Sequence, residues 1–204
     1  MMARKRVAIL ISGRGSNMAA LIEAARHPDY PAEIVLVISN RLEAEGLARA
    51  AAAGIATAVV DHTSFAGKPA FEAALNARLA EAGAEIVCLA GFMRLLSPGF
   101  VERWRDRLLN IHPSLLPAFP GLDTHARAIA AGAKVHGCTV HFVRAAMDDG
   151  PIIAQAEVPV LPGDTPELLA ARVLVAEHQL YPGALAEVAA GKIGFPAVPE
   201  PSAG

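Results

Sequence analysis

The chain lacks long apolar runs and contains little cysteine. Its longest uninterrupted apolar runs, which include residues 34–38 and 86–90, have the length of strands, whereas a membrane-spanning helix needs about 20 apolar residues. The two cysteines, Cys88 and Cys138, both fall in predicted strands, where an unpaired thiol packs as a small apolar side chain. Neither a membrane protein nor a disulfide scaffold is therefore expected.

A targeting segment and an excess of charge are also lacking. The basic start of the chain is followed by a short apolar run at residues 7–11, which glycines interrupt without a small-residue cleavage site. The net charge of −2 carries no signal for nucleic acid or a membrane surface. We expect a cytoplasmic protein that acts on small molecules and exists as a monomer or homodimer.

Two kinds of site are excluded because their motifs are missing. His125, His136, Cys138 and His141 are the candidate metal ligands, but there is no CxxC or HExxH spacing, so no metal site is expected. A G-x-S-x-G nucleophile turn is also missing, and Ser114 lies between prolines, so a serine hydrolase is not supported.

Apolar runs alternate with helical patterns through the first half of the chain. The predicted strands are 7–11, 34–39, 55–60, 86–90 and 108–112, and the predicted helices are 18–26, 42–53, 69–82 and 97–104. This alternation predicts a Rossmann-like α/β fold with a doubly wound, mostly parallel sheet. Ser16 or Asn17 is the expected cap of the first helix.

The pattern changes after residue 112. A short helix is predicted at 124–131, two hairpin-like antiparallel strands at 135–143 and 151–160, and a long C-terminal helix at 165–190 that could break at Pro182. Residues 194–204 read as a flexible tail. The 204 residues therefore predict a single domain.

A glycine-rich loop, Ser12 to Asn17, connects the first strand to the first helix. Backbone N–H groups at such a helix start bind phosphate. The third glycine of a dinucleotide fingerprint is missing at Met18, and no acid follows the second strand. A phosphate monoester is the ligand that fits, although a tight turn that needs glycine only for its geometry explains the loop equally well.

Asn110, His112 and Asp148 form the candidate catalytic group. Asn110 and His112 are two residues apart at a strand end, so both side chains point to the same face. An amide and an imidazolium can stabilise an oxyanion, and an aspartate can orient and charge the histidine. Each residue taken alone could equally be an ordinary turn or strand-end residue.

Several stretches of the chain resemble the phosphoribosylglycinamide formyltransferase family. The matching stretches are ISGRGSN (11–17), LAGFMRLLSP (89–98), LNIHPSLLP (109–117) with Pro-Gly at 120–121, HGCTVHFV (136–143), DDGPIIAQ (148–155) and EHQLYP (177–182). The resemblance spans residues 7–193 and implies transfer of a formyl group from 10-formyltetrahydrofolate to the amine of glycinamide ribonucleotide, without a metal.

The resemblance also implies roles for individual residues. The catalytic residues are Asn110, His112 and Asp148; the ribonucleotide-binding residues are Gly15, Ser16, Asn17 and Glu177; the folate-binding residues are Lys68, Met93, Arg94, Leu95, Leu96, Asn110, Arg144, Ala145, Ala146, Met147 and Asp148. Residues 7–112 would then form the nucleotide-phosphate half of the domain, and residues 113–193 the folate and catalytic half.

This chain departs from the family pattern at three positions. Lys68 stands where arginine is more frequent, so its folate contact is in question. Asp149 stands where glycine is usual, which puts a second carboxylate beside Asp148 and makes a shift of one residue in the catalytic assignment conceivable. Arg14 replaces a frequent asparagine and adds a cation to the glycine loop.

Three other functions stay open at this point. Formyltetrahydrofolate hydrolase and methionyl-tRNA formyltransferase share the catalytic core, but they carry an additional N-terminal and C-terminal domain respectively, so length and charge disfavour both. A non-catalytic nucleotide-binding sensor could use the same glycine loop, but it has no need for Asn110 and His112 at their spacing.

Overall fold

One mixed sheet of seven strands forms the centre of the described structure. The computed structural model describes residues 3–193, so the expected tail at 194–204 lies outside the described residues. The strands are β1 Lys5–Ile11, β2 Ala32–Ser39, β3 Thr57–Val59, β4 Ile86–Leu89, β5 Leu108–His112, β6 Val135–Phe142 and β7 Ile152–Pro159. Their order in the sheet is β3-β2-β1-β4-β5-β6-β7.

The type of strand pairing changes once along this sheet, from parallel to antiparallel. All pairs from β3 through β5 are parallel, and the β5–β6 and β6–β7 pairs are antiparallel. This confirms the predicted mostly parallel sheet with added antiparallel strands. Because β1, β4 and β5 run in the same direction, the loops that follow them lie at one edge of the sheet, which is where ligands bind in open α/β sheets.

Helices cover both faces of the sheet. They are α1 Ser16–Ala25, α2 Glu45–Ala52, α3 Lys68–Glu81, α4 Pro98–Arg103, α5 Thr124–Ala130 and the long α6 Pro166–Ala189, with a short 3-10 turn at His62–Ser64. One core cluster joins the sheet to α1 and α6, and a second joins the other face to α3 and α4. No helix within residues 3–193 is both long and apolar enough to cross a membrane.

Alternation along β5 decides which face carries the polar residues. Leu109 and Ile111 belong to the core on the α6 side, whereas Leu108 belongs to the core on the α3 and α4 side. Since alternate strand residues share a face, Asn110 and His112 lie on the same side as Leu108.

Two local predictions were wrong. The cap of α1 is Gly15, whose φ of 69° only glycine adopts readily, and neither Ser16 nor Asn17 caps the helix with its side chain. Helix α6 also continues through Pro182. Proline removes one helix hydrogen bond, but Tyr181 and Leu185 on either side of it are fully buried, so packing on the sheet holds the helix together.

Candidate active site

The antiparallel register of β5 and β6 forms a polar surface on one face of the sheet. Asn110 lies opposite His141, and His112 lies opposite Thr139. Side chains of directly opposite residues in an antiparallel pair lie close together on the same face. The strand pairing therefore adds His141 and Thr139 to the two residues predicted on β5.

Four side chains on this face form a group, named the catalytic cluster below, in which three contacts link them in series. Asn110 Nδ2 lies 3.2 Å from His141 Nε2. His141 Nε2 lies 4.0 Å from Asp148 Oδ1, and Asp148 Oδ2 lies 3.6 Å from His112 Nδ1. The structure thus brings Asn110, His112 and Asp148 together, with His141 between the amide and the carboxylate. His112 and Asp148 are almost entirely buried, with side-chain exposures of 8% and 11%.

His141 is the site residue that sequence reasoning missed, since it was considered only as a metal ligand. Its Nδ1 lies 3.1 Å from the Phe142 carbonyl, so this nitrogen donates and Nε2 is left to accept from the Asn110 amide. Burial lowers the pKa of His141, and the Phe142 carbonyl and Asp148 only partly oppose this effect. A neutral His141 orients the amide of Asn110. The signal in the sequence was its place in the matching stretch 136–143, which lies between His112 and Asp148 in the chain.

Asp148 reaches the cluster because the chain turns sharply after β6. Asp148 adopts the left-handed conformation with φ of 53°, and its Oδ2 accepts from the Gly121 N–H at 2.8 Å. A side chain at Gly150 would place its Cβ 1.6 Å from the Phe142 carbonyl oxygen, so glycine is required there. Asp149 is exposed, and no hydrogen bond or ion pair joins it to any described residue.

The loop after β5 is anchored beneath His112. The Thr139 hydroxyl donates to the Ser114 carbonyl at 2.6 Å and accepts from the Leu116 N–H at 3.0 Å. Gln155 Nε2 lies 2.9 Å from both Thr139 Oγ1 and the Leu116 carbonyl. Further along this loop, the Phe119 carbonyl lies 3.1 Å from His112 Nε2. The backbone of the loop therefore holds one ring nitrogen of His112 and Asp148 faces the other.

A cavity of about 340 Å³ opens at the glycine loop, on the same edge of the sheet. It is lined by Ser12, Gly13, Arg14, Gly15, Ser16, Asn17, Arg41, Ala90, Gly91 and Met93. No ion pair within residues 3–193 involves Arg14 or Arg41, so both cations are available to an anion in the cavity.

Gly46 was not predicted to contribute to this cavity, yet it shapes the loop. Its N–H donates to the Gly13 carbonyl at 3.0 Å. A Cβ on Gly46 would lie 2.5 Å from Ile11 Cδ1 and 3.0 Å from the Gly13 oxygen. The start of α2 therefore packs directly against the glycine loop, which any side chain at position 46 would displace.

Asn17 and Glu177 meet at the inner wall of this cavity. Asn17 Nδ2 donates to Glu177 Oε2 at 2.6 Å, although the two residues are 160 positions apart. Burial raises the pKa of Glu177, and the hydrogen bond from Asn17 partly offsets the shift. Asn17 Oδ1 is buried and has no hydrogen-bond partner among the described residues. A buried acceptor without a partner is costly unless a ligand supplies a donor.

Most of the predicted folate residues lie on the two loops at 93–96 and 144–148, whereas Asn110 lies on β5 and Lys68 begins α3. Met93 lines the glycine-loop cavity, and its side chain is 63% exposed, as are those of Leu95 at 65% and Met147 at 60%. Arg94, Ala145 and Ala146 are exposed, and Leu96 is half-buried. Large apolar side chains this exposed, next to a polar cluster, are typical of a ligand surface.

Two cations of the predicted folate set have different surroundings. The guanidinium of Arg144 pairs with Asp106 and donates to the Val143 carbonyl at 3.0 Å. Lys68 is the first residue of α3 and is exposed, one turn before Glu72, whose carboxylate accepts from the Ser97 N–H at 2.6 Å. No ion pair within residues 3–193 involves the ammonium group of Lys68.

His125 and His136 do not join a metal centre in the structure. Their rings pack edge to face with centroids 5.2 Å apart, and no group of three candidate ligands within residues 3–193 is arranged around a metal position. The expectation that no metal is needed stays a prediction.

Comparisons with known proteins place this geometry in context. Residues 5–185 match the model of the family described as formyl transferase. The chain is 44% identical over 187 residues to phosphoribosylglycinamide formyltransferase of Escherichia coli K12, which covers 92% of this chain and 88% of that protein. It is 53% identical over 192 residues to the trifunctional purine biosynthetic protein adenosine-3 of Drosophila pseudoobscura pseudoobscura, covering 93% of this chain but only 14% of that protein.

Solved structures agree with the sequence relatives. A phosphoribosylglycinamide formyltransferase from Brucella melitensis superposes with a TM-score of 0.89 and 60% identity, covering 93% of this chain and 98% of that one. A glycinamide ribonucleotide transformylase from Symbiobacterium toebii gives 0.93 and 46% identity, covering 97% and 93%. The fold predicted from the sequence is therefore confirmed by solved structures as well.

Proposed function

The chain belongs to the formyl transferase family, and from this premise we propose that it transfers the formyl group of 10-formyltetrahydrofolate to the amine of glycinamide ribonucleotide. The products are formylglycinamide ribonucleotide and tetrahydrofolate, a step of purine synthesis. The observation that carries the proposal is the catalytic cluster of Asn110, His141, Asp148 and His112, which lies at the same sheet edge as the glycine-loop cavity.

The catalytic cluster suits a reaction at an activated carbonyl carbon. When bound, 10-formyltetrahydrofolate supplies a formyl carbon that the substrate amine can attack, forming a new C–N bond while the bond to the folate nitrogen breaks. The amide of Asn110 and the imidazolium of His112 stabilise the negative charge that develops on the formyl oxygen. Asp148 stabilises the charged His112 and offers a carboxylate that accepts a proton from the attacking amine through water. The folate nitrogen takes up a proton as its bond to the formyl carbon breaks, which gives tetrahydrofolate.

The glycine loop supports binding of the ribonucleotide. The backbone of Gly15 and Ser16 at the start of α1 suits a phosphate monoester, and Arg14 and Arg41 add positive charge at the cavity wall. Glu177 with the unpaired Asn17 oxygen offers hydrogen-bonding groups to the rest of that substrate.

We propose the folate-binding residues because the exposed surface at the rim of the site suits a folate. Exposed Met93, Leu95 and Met147 offer apolar area for a flat heteroaromatic ring next to the catalytic cluster. Lys68 is proposed to meet the acidic end of the folate, because it is exposed and no described residue neutralises it. The division into a phosphate half and a folate half, the cytoplasmic location, the monomer or homodimer and the absence of nucleic acid and membrane partners stay predictions.

One assay tests the proposed reaction. The protein is mixed with 10-formyltetrahydrofolate and glycinamide ribonucleotide, and loss of the formyl donor is followed together with formation of the formylated ribonucleotide. We expect stoichiometric transfer that requires both substrates. Loss of the donor without the ribonucleotide would indicate a hydrolase instead, and transfer only to methionyl-tRNA would indicate the RNA-modifying relative.

The matched binding experiment separates catalysis from sensing. Ribonucleotide that binds with no turnover in any mixture would support a non-catalytic sensor. Changing Asn17 to alanine should weaken ribonucleotide binding while 10-formyltetrahydrofolate binding is retained, because Asn17 lines the glycine-loop cavity only.

A further inference from the structure

The two tyrosines of the chain both donate to backbone carbonyls near one point of α6. Tyr30 donates to the Pro182 carbonyl at 2.7 Å. The Tyr181 hydroxyl, on α6 itself, lies 3.1 Å from the Leu89 carbonyl oxygen and 3.2 Å from the Leu109 carbonyl oxygen, and its one hydrogen is shared between these two acceptors. These two carbonyls belong to neighbouring strands, β4 and β5. One hydroxyl therefore ties together the ends of two strands that lead into the site.

The Tyr181 side chain is buried and its phenol stays protonated. Its side chain is fully buried. Burial, followed by the proximity of Cys88, raises the pKa of Tyr181 well above its ordinary value, so the phenol stays protonated and remains a donor. The large ring, packed in the core between α6 and the sheet, leaves the hydroxyl little freedom to move.

Leu109 connects the Tyr181 hydroxyl to the catalytic cluster. Its carbonyl belongs to the peptide group that continues directly into Asn110. Tyr181 lies on the α6 side of the sheet with Leu109, whereas Asn110 points to the opposite face. The phenol therefore cannot touch the reacting groups, but it fixes the plane of the peptide from which Asn110 departs.

The placement of the Asn110 side chain depends on few contacts, since it has one side-chain partner in the described structure. Asn110 Nδ2 bonds to His141 Nε2 at 3.2 Å. The pairing of β5 with β4 and β6 holds the backbone of Asn110, and the Tyr181 hydroxyl adds a contact at the peptide group that precedes it. An error of about 1 Å in the placement of a catalytic group can reduce a rate on the order of 10²-fold.

We propose that Tyr181 is a positioning residue for formyl transfer, whose hydroxyl holds the Leu109 carbonyl and so aims the amide of Asn110. The inference rests on the proposed function for its kinetic consequence, but the placement of Asn110 can be observed without turnover.

The test compares Tyr181→Phe with Tyr30→Phe as a matched control. Both changes remove one phenol hydroxyl that donates to the backbone; the hydroxyl of Tyr181 is buried, and Tyr30 is half-buried. We expect Tyr181→Phe to lower kcat about tenfold or more with KM values for both substrates unchanged, and Tyr30→Phe to leave kcat unchanged. An equal fall in both variants would overturn the proposal, because it would show a general effect of destabilising α6.

A double-mutant cycle shows whether Tyr181 acts through Asn110. In an Asn110→Ala background, the further change Tyr181→Phe should lower kcat by less than about twofold, since the group being positioned is gone. The same tenfold loss in both backgrounds would overturn the proposal. A larger KM for the ribonucleotide alone would also overturn it, because that would indicate action through Leu89 on the glycine-loop cavity.

A spectroscopic readout makes failure of the positioning role distinguishable from failure of the proposed function. The side-chain amide signals of Asn110, assigned in 15N-labelled protein by their loss in Asn110→Ala, should shift in Tyr181→Phe and not in Tyr30→Phe. A wild-type protein without turnover would refute the formyl transfer and leave this comparison intact. Unshifted Asn110 signals in Tyr181→Phe would refute the positioning role, whatever the activity.

Discussion

Replacement of each of two neighbouring aspartates by asparagine tests the catalytic cluster most directly. Asp148→Asn and Asp149→Asn remove the same charge at adjacent positions. Asp148 is buried and lies 3.6 Å from His112 Nδ1, whereas Asp149 is exposed and no ion pair joins it to a described residue. We therefore expect Asp148→Asn to remove most of the activity and Asp149→Asn to change it little.

The geometry of the ion pair sets the size of the effect. At 3.6 Å, the attraction between a carboxylate and an imidazolium is about 4–5 kcal/mol at an effective dielectric constant of about 20. Desolvation of two nearly buried groups cancels a share of this attraction, so we take a net value of about 2–3 kcal/mol. The expected loss in kcat is on the order of 10²-fold for Asp148→Asn and no more than about twofold for the exposed Asp149.

The assay is steady-state formyl transfer, with kcat and the two KM values measured separately. Urea unfolding of each variant shows whether the fold is retained, since the new amide of Asp148→Asn can still accept from the Gly121 N–H. A larger loss in Asp149→Asn than in Asp148→Asn would shift the catalytic assignment by one residue. An Asp148→Asn rate close to the wild-type rate would show that the contact with His112 is not part of the mechanism.

Three further changes test other parts of the structure. Asn110→Ala should lower kcat on the order of 10²–10³-fold, as expected for loss of an oxyanion donor; a wild-type rate would remove Asn110 from the mechanism. Gly46→Ala should raise the ribonucleotide KM about tenfold or more, because its Cβ would lie 2.5 Å from Ile11 Cδ1 and displace the loop. The matched change Gly183→Ala, in a helix with nothing within 4 Å of the new Cβ, should raise the free energy of unfolding by about 0.5–1 kcal/mol; an equal effect on KM in both variants would contradict the role of the close packing. Burial lowers the pKa of His136 from 6.5 to about 4, so the unfolded chain binds more protons in this window. Stability should be fully present above pH 6.5 and fall by about 3 kcal/mol towards pH 4; His136→Phe should flatten this slope in urea unfolding, and an unchanged slope would contradict it.

Most of the sheet could be predicted because its signals are local. Residues 7–11 of β1, 34–38 of β2 and 86–89 of β4 are apolar runs, as is typical of strands buried on both faces. The predicted bounds of β5 agree with the structure, Leu108–His112. The short β3 is trimmed to Thr57–Val59 because it pairs on one side only, at the end of the sheet.

The continuity of α6 could not be predicted from its own residues. Proline within a helical pattern ordinarily indicates a break or a kink. Here the helix lies along the sheet, and the burial of Tyr181 and Leu185 outweighs the hydrogen bond that Pro182 removes. Such packing comes from strands far away in sequence, so no local pattern contains it.

Local sequence patterns predicted one part of the candidate site, and another part depended on tertiary packing. The spacing of Asn110 and His112 on one strand placed both side chains on one face, because alternation along a strand is a property of the local backbone. The composition of the glycine loop similarly predicted a tight turn before the first helix, where Gly15 adopts a left-handed conformation; phosphate binding by this loop stays a prediction. The approach of Gly46 to that loop was invisible, because it depends on how α2 packs on β1.

By itself, the sequence determined the strands, the helices, the shared face of Asn110 and His112, and the resemblance to formyltransferases. The tertiary structure alone decided that His141 bonds to Asn110 across 31 residues of chain, that Asp148 and not Asp149 faces His112, and that Tyr181 supports the strand end from the opposite face. The physical reason is that periodicity and turn chemistry act over a few residues. Strand register and the return of a loop over the sheet are set by pairing and burial between distant segments.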